Sequence, residues 1–444
     1  MLRRLEKLCN ERSLASSPDA DHVTINTRDM GRARDLIRSS HENALFRFIL
    51  EPPPEINISP EMPVDDYMRS ATKLLRLNMR RVARLDIVLP PSILLAVWPY
   101  LWHRAGPKLQ SLSIRTSSHM GQQRIRLPSS PLGQLMHGKK LFPVVEQVAF
   151  ETAAPCILDP IWEGVHSVEL TNLTPAWIME DYLDVIRKSR NLTELKIVGS
   201  MPITLRASWE NLAQVNGNDV RTLHLSGCST AEVAYFFSHV HLPQLFELTV
   251  APSTVSEGFS NFYQLFDEGA AYPSVMSFQK VRDVELMCSA GRDNQEVPCI
   301  SATTVDDGVF TITFPDADPS VFRNTMDLFP NAIRLSLHES CFILRWDWPH
   351  RYPIPVQTLR LSGTIGINGL LDQLAEWNFH YLRYVQVESC TFNELSRRAL
   401  EDFMSEVGAD NPNRMVHFRL IKCKDITVRD SSLQCENTRL HIAD

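Results

Sequence analysis

Apolar residues along this chain return in a six-position core, apolar-x-x-apolar-x-apolar. Copies begin at residues 82, 109, 145, 165, 192, 220, 245, 281, 332, 356, 382 and 415 (VARLDI, LQSLSI, VEQVAF, VHSVEL, LTELKI, VRTLHL, LFELTV, VRDVEL, AIRLSL, VQTLRL, LRYVQV and MVHFRL). A weaker copy, VFTITF, starts at Val309 in the wide gap between 281 and 332. Counting it, the starts are spaced by about 28 residues on average, a period that marks a stacked repeat architecture. Within each copy the alternating pair predicts a short strand whose alternate side chains point inward.

Helix signals fall between the strands. Thr174 places a capping hydroxyl before Pro175 and a helical run to 189. Ser229 and Glu232 form a capping box opening 231–240, and Asp318-Pro319 opens 320–329. Helical spacing also covers 92–104, 258–267, 367–377 and 393–407, the last stopped by Gly408. Strand, bend and helix in repetition predict an α/β fold, an irregular leucine-rich-repeat solenoid (horseshoe) with parallel inner strands and outer helices. The repeat wants a buried small polar residue three positions after the last strand apolar. Cys228, Cys390 and Cys423 stand there, with Ser200, Ser340 and Thr364 in other copies, so the three cysteines read as buried structural thiols.

The pattern spans 82–423, about 13 repeats. Residues 1–81 lack it and read as a partly disordered, helical amino-terminal cap, with helical spacing at 29–50 and 65–81. Residues 424–444 read as a polar tail adding one ragged strand. Interruptions at 116–140, 291–307 and 342–355 read as loops along one edge.

The irregular L-x-x-L-x-L-x-x-C copies, with segments such as LPPSILLAVWPYLWHRAGPKLQSLSI (89–114) and TLHLSGCSTAEVAYFFSHVHLPQLFELTV (222–250), resemble the repeat region of fungal F-box and leucine-rich-repeat proteins. That resemblance implies a protein-binding module, the substrate-recognition arm of a cullin-type ubiquitin ligase, docked on the ligase adaptor through an F-box. Residues 89–94 (LPPSIL) match the opening of an F-box. A repeat strand precedes them and another starts at Leu109, leaving too little chain for its helices. The alternatives are a scaffold outside any ligase, or a decayed paralogue.

Charge narrows the partner. Forty-five basic and 52 acidic residues leave a net charge of −7, without the basic excess that nucleic acid demands. Nine cysteines contain no C-x-x-C pair and no zinc-type spacing, so neither metal nor cofactor is expected. The apolar run at 93–101 falls far short of the roughly 18–20 residues of a membrane span, and the charged opening MLRRLEKL is unlike a signal peptide. The expected localisation is cytoplasmic or nuclear. Residues 133–140 (GQLMHGKK) nearly match a phosphate loop, yet Lys140 occupies the hydroxyl position and a strand follows where a helix belongs. No H-E-x-x-H, G-x-S-x-G or G-x-G-x-x-G occurs, and no enzyme is expected.

Candidate partner-binding residues are the strand side chains that face away from the core. A central strip holds Glu151, Glu169, Glu194, Glu247, Asp283 and Glu285, with Lys196 against the trend. A carboxy-terminal strip holds Arg334, His338, Arg360, His417 and Arg419, with Glu388 against it. Two opposed strips suit a polypeptide carrying both charge signs. His224, His338 and His417 are expected to face solvent. Trp346 and Trp348 have two readings, a packed loop anchor or an exposed aromatic contact for a partner.

Overall fold

Strands begin earlier than the repeat pattern indicates. The computed structural model describes residues 22–52, 66–101, 106–116, 125–128, 135–136, 139–140, 144–155, 160–173, 175–203, 214–266, 275–290, 296–315, 319–322, 325–338, 355–363, 367–375, 379–410, 413–426 and 437–443. The chain divides into two units, 1–168 and 169–444.

In the first unit β1 (His22–Asn26), β2 (Leu45–Leu50), β3 (Val82–Leu89), β4 (Ser111–Thr116) and β5 (Gln147–Glu151) form a parallel ladder in that order. Helix α1 (Met30–Ser39) lies between β1 and β2, and its first turn is closed by the Asp29 carboxylate accepting from the Arg32 amide at 3.0 Å. Helical spacing over 29–50 therefore corrects to a helix that stops at Ser39 and a strand that follows. The strand forms because Phe46, Phe48 and Leu50 alternate and are fully buried. Helices α2 (Asp66–Asn78) and α3 (Pro91–Leu101) connect the next strands. Residues 1–21 and 53–65 lie outside the described residues. Lys139–Lys140 is a strand antiparallel to Leu135–Met136, within the stretch read as a loop, so the near phosphate loop does not lead into a helix.

The second unit repeats the plan with one interruption. Its elements are β6 (Ser167–Thr171, which crosses the division), α4 (Met179–Lys188), β7 (Glu194–Val198), β8 (Thr222–Ser226), α5 (Thr230–His239), β9 (Glu247–Ala251), β10 (Val281–Ala290), β11 (Glu296–Thr304), β12 (Val309–Thr313), β13 (Arg334–His338), β14 (Thr358–Ser362), α6 (Ile367–Ala375), β15 (Tyr384–Glu388), α7 (Glu394–Asp410), β16 (Val416–Ile421) and β17 (Thr438–Ala443). Neighbours run β7, β8, β9, β12, β11, β10, β13, β14, β15, β16, β17, all parallel except β11. Each unit is thus mixed α/β with a mostly parallel ladder.

All thirteen copies are strands, but they do not stack in chain order. β9 pairs with β12, and β10 lands beside β13. Part of the stretch read as an edge loop, 291–307, forms β11, an antiparallel strand inside the ladder. The segments leaving β9 and leaving β12 must each travel past this meander. Rings cover it: Phe278 contacts Phe266, Phe310 and Phe329 at centroid distances of 5.1, 5.3 and 5.2 Å, while Phe262 meets Phe314 and Phe322 at 5.5 and 5.4 Å. The helices expected at 258–267 and 320–329 are instead short 3-10 turns, Tyr263–Leu265, Pro319–Phe322 and Thr325–Leu328, which carry these aromatics with less regular backbone.

A recurring bend ends the strands. Asn172, Gly199, Gly227, Gly363, Ser389 and Lys422 each follow a strand and have positive φ. Each donates its amide to the last residue of the neighbouring strand, as Gly199 does to Ser226 at 2.7 Å and Ser389 to Ile421 at 2.9 Å. A Cβ on Gly227 would stand 3.1 Å from the Gly199 nitrogen, so stacked bends leave little room there. The next residue turns inward, and Cys228 and Cys390 occupy that place 1% exposed. Cys423 follows Lys422 in the same way but is only half-buried, a correction that reflects its place near the end of the ladder.

Helix boundaries depart from expectation at two ends. α4 begins at Met179 rather than beside Pro175, because the Asp181 carboxylate accepts from the Ile178 amide at 3.0 Å. α7 runs through Gly408, which is buried. The Ser229–Glu232 capping box forms as expected, and the Glu232 carboxylate also accepts from the Ser200 hydroxyl at 2.6 Å. Thr174, Ser340 and Thr364 lie outside the described residues.

Candidate functional site

Period two in each strand sends alternate positions to the face opposite the core, and the parallel register aligns them in rows. Glu169, Glu194, Glu247, Asp283, Glu285, Arg334, His338, Arg360 and Arg419 all occupy such positions. One row reads Asp283, Arg334, Thr358, Tyr384, His417, Arg439, and the next reads Glu285, Ser336, Arg360, Gln386, Arg419, His441. Trp346 and Trp348 lie outside the described residues.

The opposed strips do not stand apart. Because β10 lies against β13, Asp283 meets Arg334 at 3.2 Å and Glu285 meets His338 at 2.7 Å. Glu169 pairs with Lys196 at 2.8 Å, and Arg360 with Glu388. The hydrogen bond from His338 holds the Glu285 carboxyl below the ordinary 4.5, and Arg360 does the same for Glu388. These side chains are in part spent on one another across strands, each exposed pair contributing little stability. Glu194, Glu247 and Arg419 are exposed and make no ion pair among the described residues.

His338 also links to Ser362, whose hydroxyl lies 3.3 Å from Nδ1. Serine, histidine and glutamate in sequence resemble a hydrolase relay, but the rest of the arrangement points elsewhere. The amide after Ser362, that of Gly363, is committed to the Glu388 carbonyl at 3.2 Å, so it is not poised for an oxyanion. All three groups sit on a sheet face, with His338 and Glu285 each 41% exposed. What the chain of bonds does is orient the imidazole.

At the end of the ladder the same face turns aromatic. Tyr384 stacks on His417 at 5.7 Å and 22°, and His417 on His441 at 5.9 Å and 20°. Arg439 continues the row of Tyr384 and His417, and Arg419 shares the row of His441. Sequence reasoning missed Tyr384, Arg439 and His441. Tyr384 occupies the third position of its copy, where every earlier copy carries a charged or polar residue, and the other two belong to the stretch read as a polar tail.

No family model, curated protein or solved structure matches this chain. Among the described residues no group of His, Cys, Asp and Glu is arranged to hold a metal ion, and no helix is long and apolar enough to cross a membrane.

His224, expected to face solvent, lies on β8 with its Nε2 2.9 Å from the Ser226 hydroxyl. Burial, then nearby Lys196, pushes its pKa from 6.5 down to about 4, against a smaller upward pull from Glu169. In the unfolded chain the ring binds a proton near 6.5, while in the folded chain it resists until about 4. Stability from this group is therefore intact above pH 6.5 and falls as pH drops through that window, by on the order of 3 kcal/mol at pH 4. His224→Gln should flatten that part of the profile, read from unfolding free energy between pH 4 and 7.

The thiols divide in the same physical terms. Burial pushes Cys228 and Cys299 up to about 12, whereas a hydrogen bond from the Cys390 side chain brings Cys423 down to about 7. Among these three, Cys423 should be alkylated first in the native protein at neutral pH, as mass spectrometry of a timed iodoacetamide reaction will read. Equal rates at Cys228 and Cys423 would place both bends in the same environment.

Proposed function

We propose that this chain is a protein-interaction module of the leucine-rich-repeat kind, an irregular solenoid whose polar sheet face holds a polypeptide partner. The observation that carries the reading is the register of that face. Parallel strands set ionic side chains in rows and end them in the exposed Tyr384, His417, His441, Arg419 and Arg439 group. The recurring bend with a buried cysteine supports the repeat class. Carboxylates of Asp283, Glu285 and Glu388 interleave with the cations, which favours a peptide over the continuous basic groove nucleic acid wants. Aromatic and arginine side chains are the usual anchors of such contacts. The family resemblance extends the proposal to the substrate-recognition arm of a cullin-type ubiquitin ligase in the cytoplasm or nucleus, with binding rather than catalysis as its role and without a membrane, metal or cofactor.

The test is affinity capture with the full chain, followed by variants on the identified complex. Glu194→Lys with Glu247→Lys, and separately Arg419→Glu with Arg439→Glu, should each weaken it by about tenfold. The loss should lie mainly in the association rate and shrink at high salt, where screening acts within about 8 Å at physiological strength and less above it. A complex untouched by both double variants but lost on replacing Trp346 and Trp348 would move the contact to the 342–355 loop. Failure to co-purify with the cullin-ligase adaptor would remove the ligase role and leave a scaffold. Capture of no partner at all would leave a decayed paralogue.

A further inference from the structure

A second surface, in the first unit, has features that the sheet face does not explain. Helices α2 and α3 enclose a groove of about 740 Å³. Its α2 wall presents Arg69, Lys73 and Arg76, spaced to share one side of the helix. Its α3 wall presents Ala96, Val97 and Tyr100, and among the described residues no carboxylate lines it. Leu77 and Tyr100 stand at its rim 57% and 56% exposed, large apolar groups that a lone helix pair would ordinarily turn inward. Thr72 and Val97 lie along it only 5% and 3% exposed.

Two polar atoms in this wall are buried without a partner. The Thr72 hydroxyl and the Arg76 Nε are closed off from solvent and make no hydrogen bond. Buried polar groups are almost always satisfied, and leaving one unmet is costly. The groove therefore combines exposed apolar anchors with a row of cations, and its α2 wall holds two donors unmet among the described residues.

We infer that the groove between α2 and α3 docks an acidic amphipathic helix from a partner polypeptide. Its trough between two helices and its open rim suit a helix laid lengthwise, with apolar anchors at i, i+3 or i+4 and i+7, better than a small molecule, which is normally enclosed over most of its surface. Carboxylates one turn apart on that helix face Lys73 and Arg76, where ion pairs shielded by the apolar rim gain strength. The contact is independent of the sheet face, so the module can hold two polypeptides at once.

The experiment uses the full chain and a panel of short helix-stabilised peptides, each with Leu, Phe or Met anchors at i, i+3 or i+4 and i+7 and glutamates flanking them. Fluorescence anisotropy reads binding. The expected result is that members of the panel bind, that their lysine-for-glutamate counterparts do not, and that Lys73→Glu weakens binding by roughly tenfold or more. Leu77→Asp, an exposed change that leaves the core untouched, should abolish it while circular dichroism stays native. Absence of binding across the whole panel overturns the inference, as does equal binding by the parent and both variants. Sedimentation with phosphatidylglycerol vesicles in the absence of any peptide binding overturns it in favour of a lipid surface.

Discussion

Phe278→Ala is expected to lower the unfolding free energy of the second unit by about 3–5 kcal/mol, the scale of a large aromatic removed from a core that cannot close over the space. Phe278 is 5% exposed and touches three other rings: Phe266 in the segment leaving β9, Phe310 on β12 and Phe329 in the segment leaving β12. The surrounding turns are short and irregular, so the neighbouring segments hold position largely through those rings. A control at Phe246, which is 40% exposed, should cost under about 1 kcal/mol. Urea unfolding of both variants checks the difference. Similar losses at the two positions would mean that the crossing segments do not depend on the ring cluster.

Leu361→Asp should be worse tolerated still. Leu361 is fully buried on β14, paired in register with Leu337 and Val387, and a carboxylate placed there has no cation within the apolar layer. The cost of an unpaired buried charge is several kcal/mol. Each strand in this ladder bonds only to its two flanking strands, so the damage should concentrate on β13, β14 and β15. Hydrogen exchange read by mass spectrometry should show lost protection there and retained protection in β2 and β3 of the first unit. Uniform loss over the whole chain would show that the two units unfold together.

The strands were legible because each is short, parallel and buried on one face, and that is the case in which period two with flanking turns speaks most clearly. β11 was not, since its segment EVPCISATT carries Pro298, which argues against an interior strand. Pro298 lies just past the last β12 pair, Cys299 with Thr313, and its carbonyl accepts from the Phe314 amide at 3.0 Å. β2 was hidden by a different effect. Arg47 breaks the apolar run and suggests a helical stripe, yet its guanidinium reaches Asp86 at 2.8 Å across to β3. On the candidate face the charged positions could be picked from the repeat alone, but which of them pair could not. Pairing depends on strand order, and nothing in VRDVEL says that its neighbour will be AIRLSL rather than LFELTV. The Tyr384, His417 and His441 stack is likewise a product of register between copies, invisible when each is read singly.

The displaced order of β10, β11 and β12 also bears on synthesis. Chains emerge from the ribosome amino terminus first, and most strands of the second unit find a partner soon after they appear. β9 does not. Its free edge, with Leu248 and Val250 on the apolar side, has no partner on that flank until Val309–Thr313 has been made. During that interval it is an open template for pairing between nascent chains. Once β12 arrives, β10 and β11 close as part of one meander, and β13 can add to its far side. A translational pause before residue 309 would therefore lengthen the period of greatest aggregation risk, whereas one after it would not.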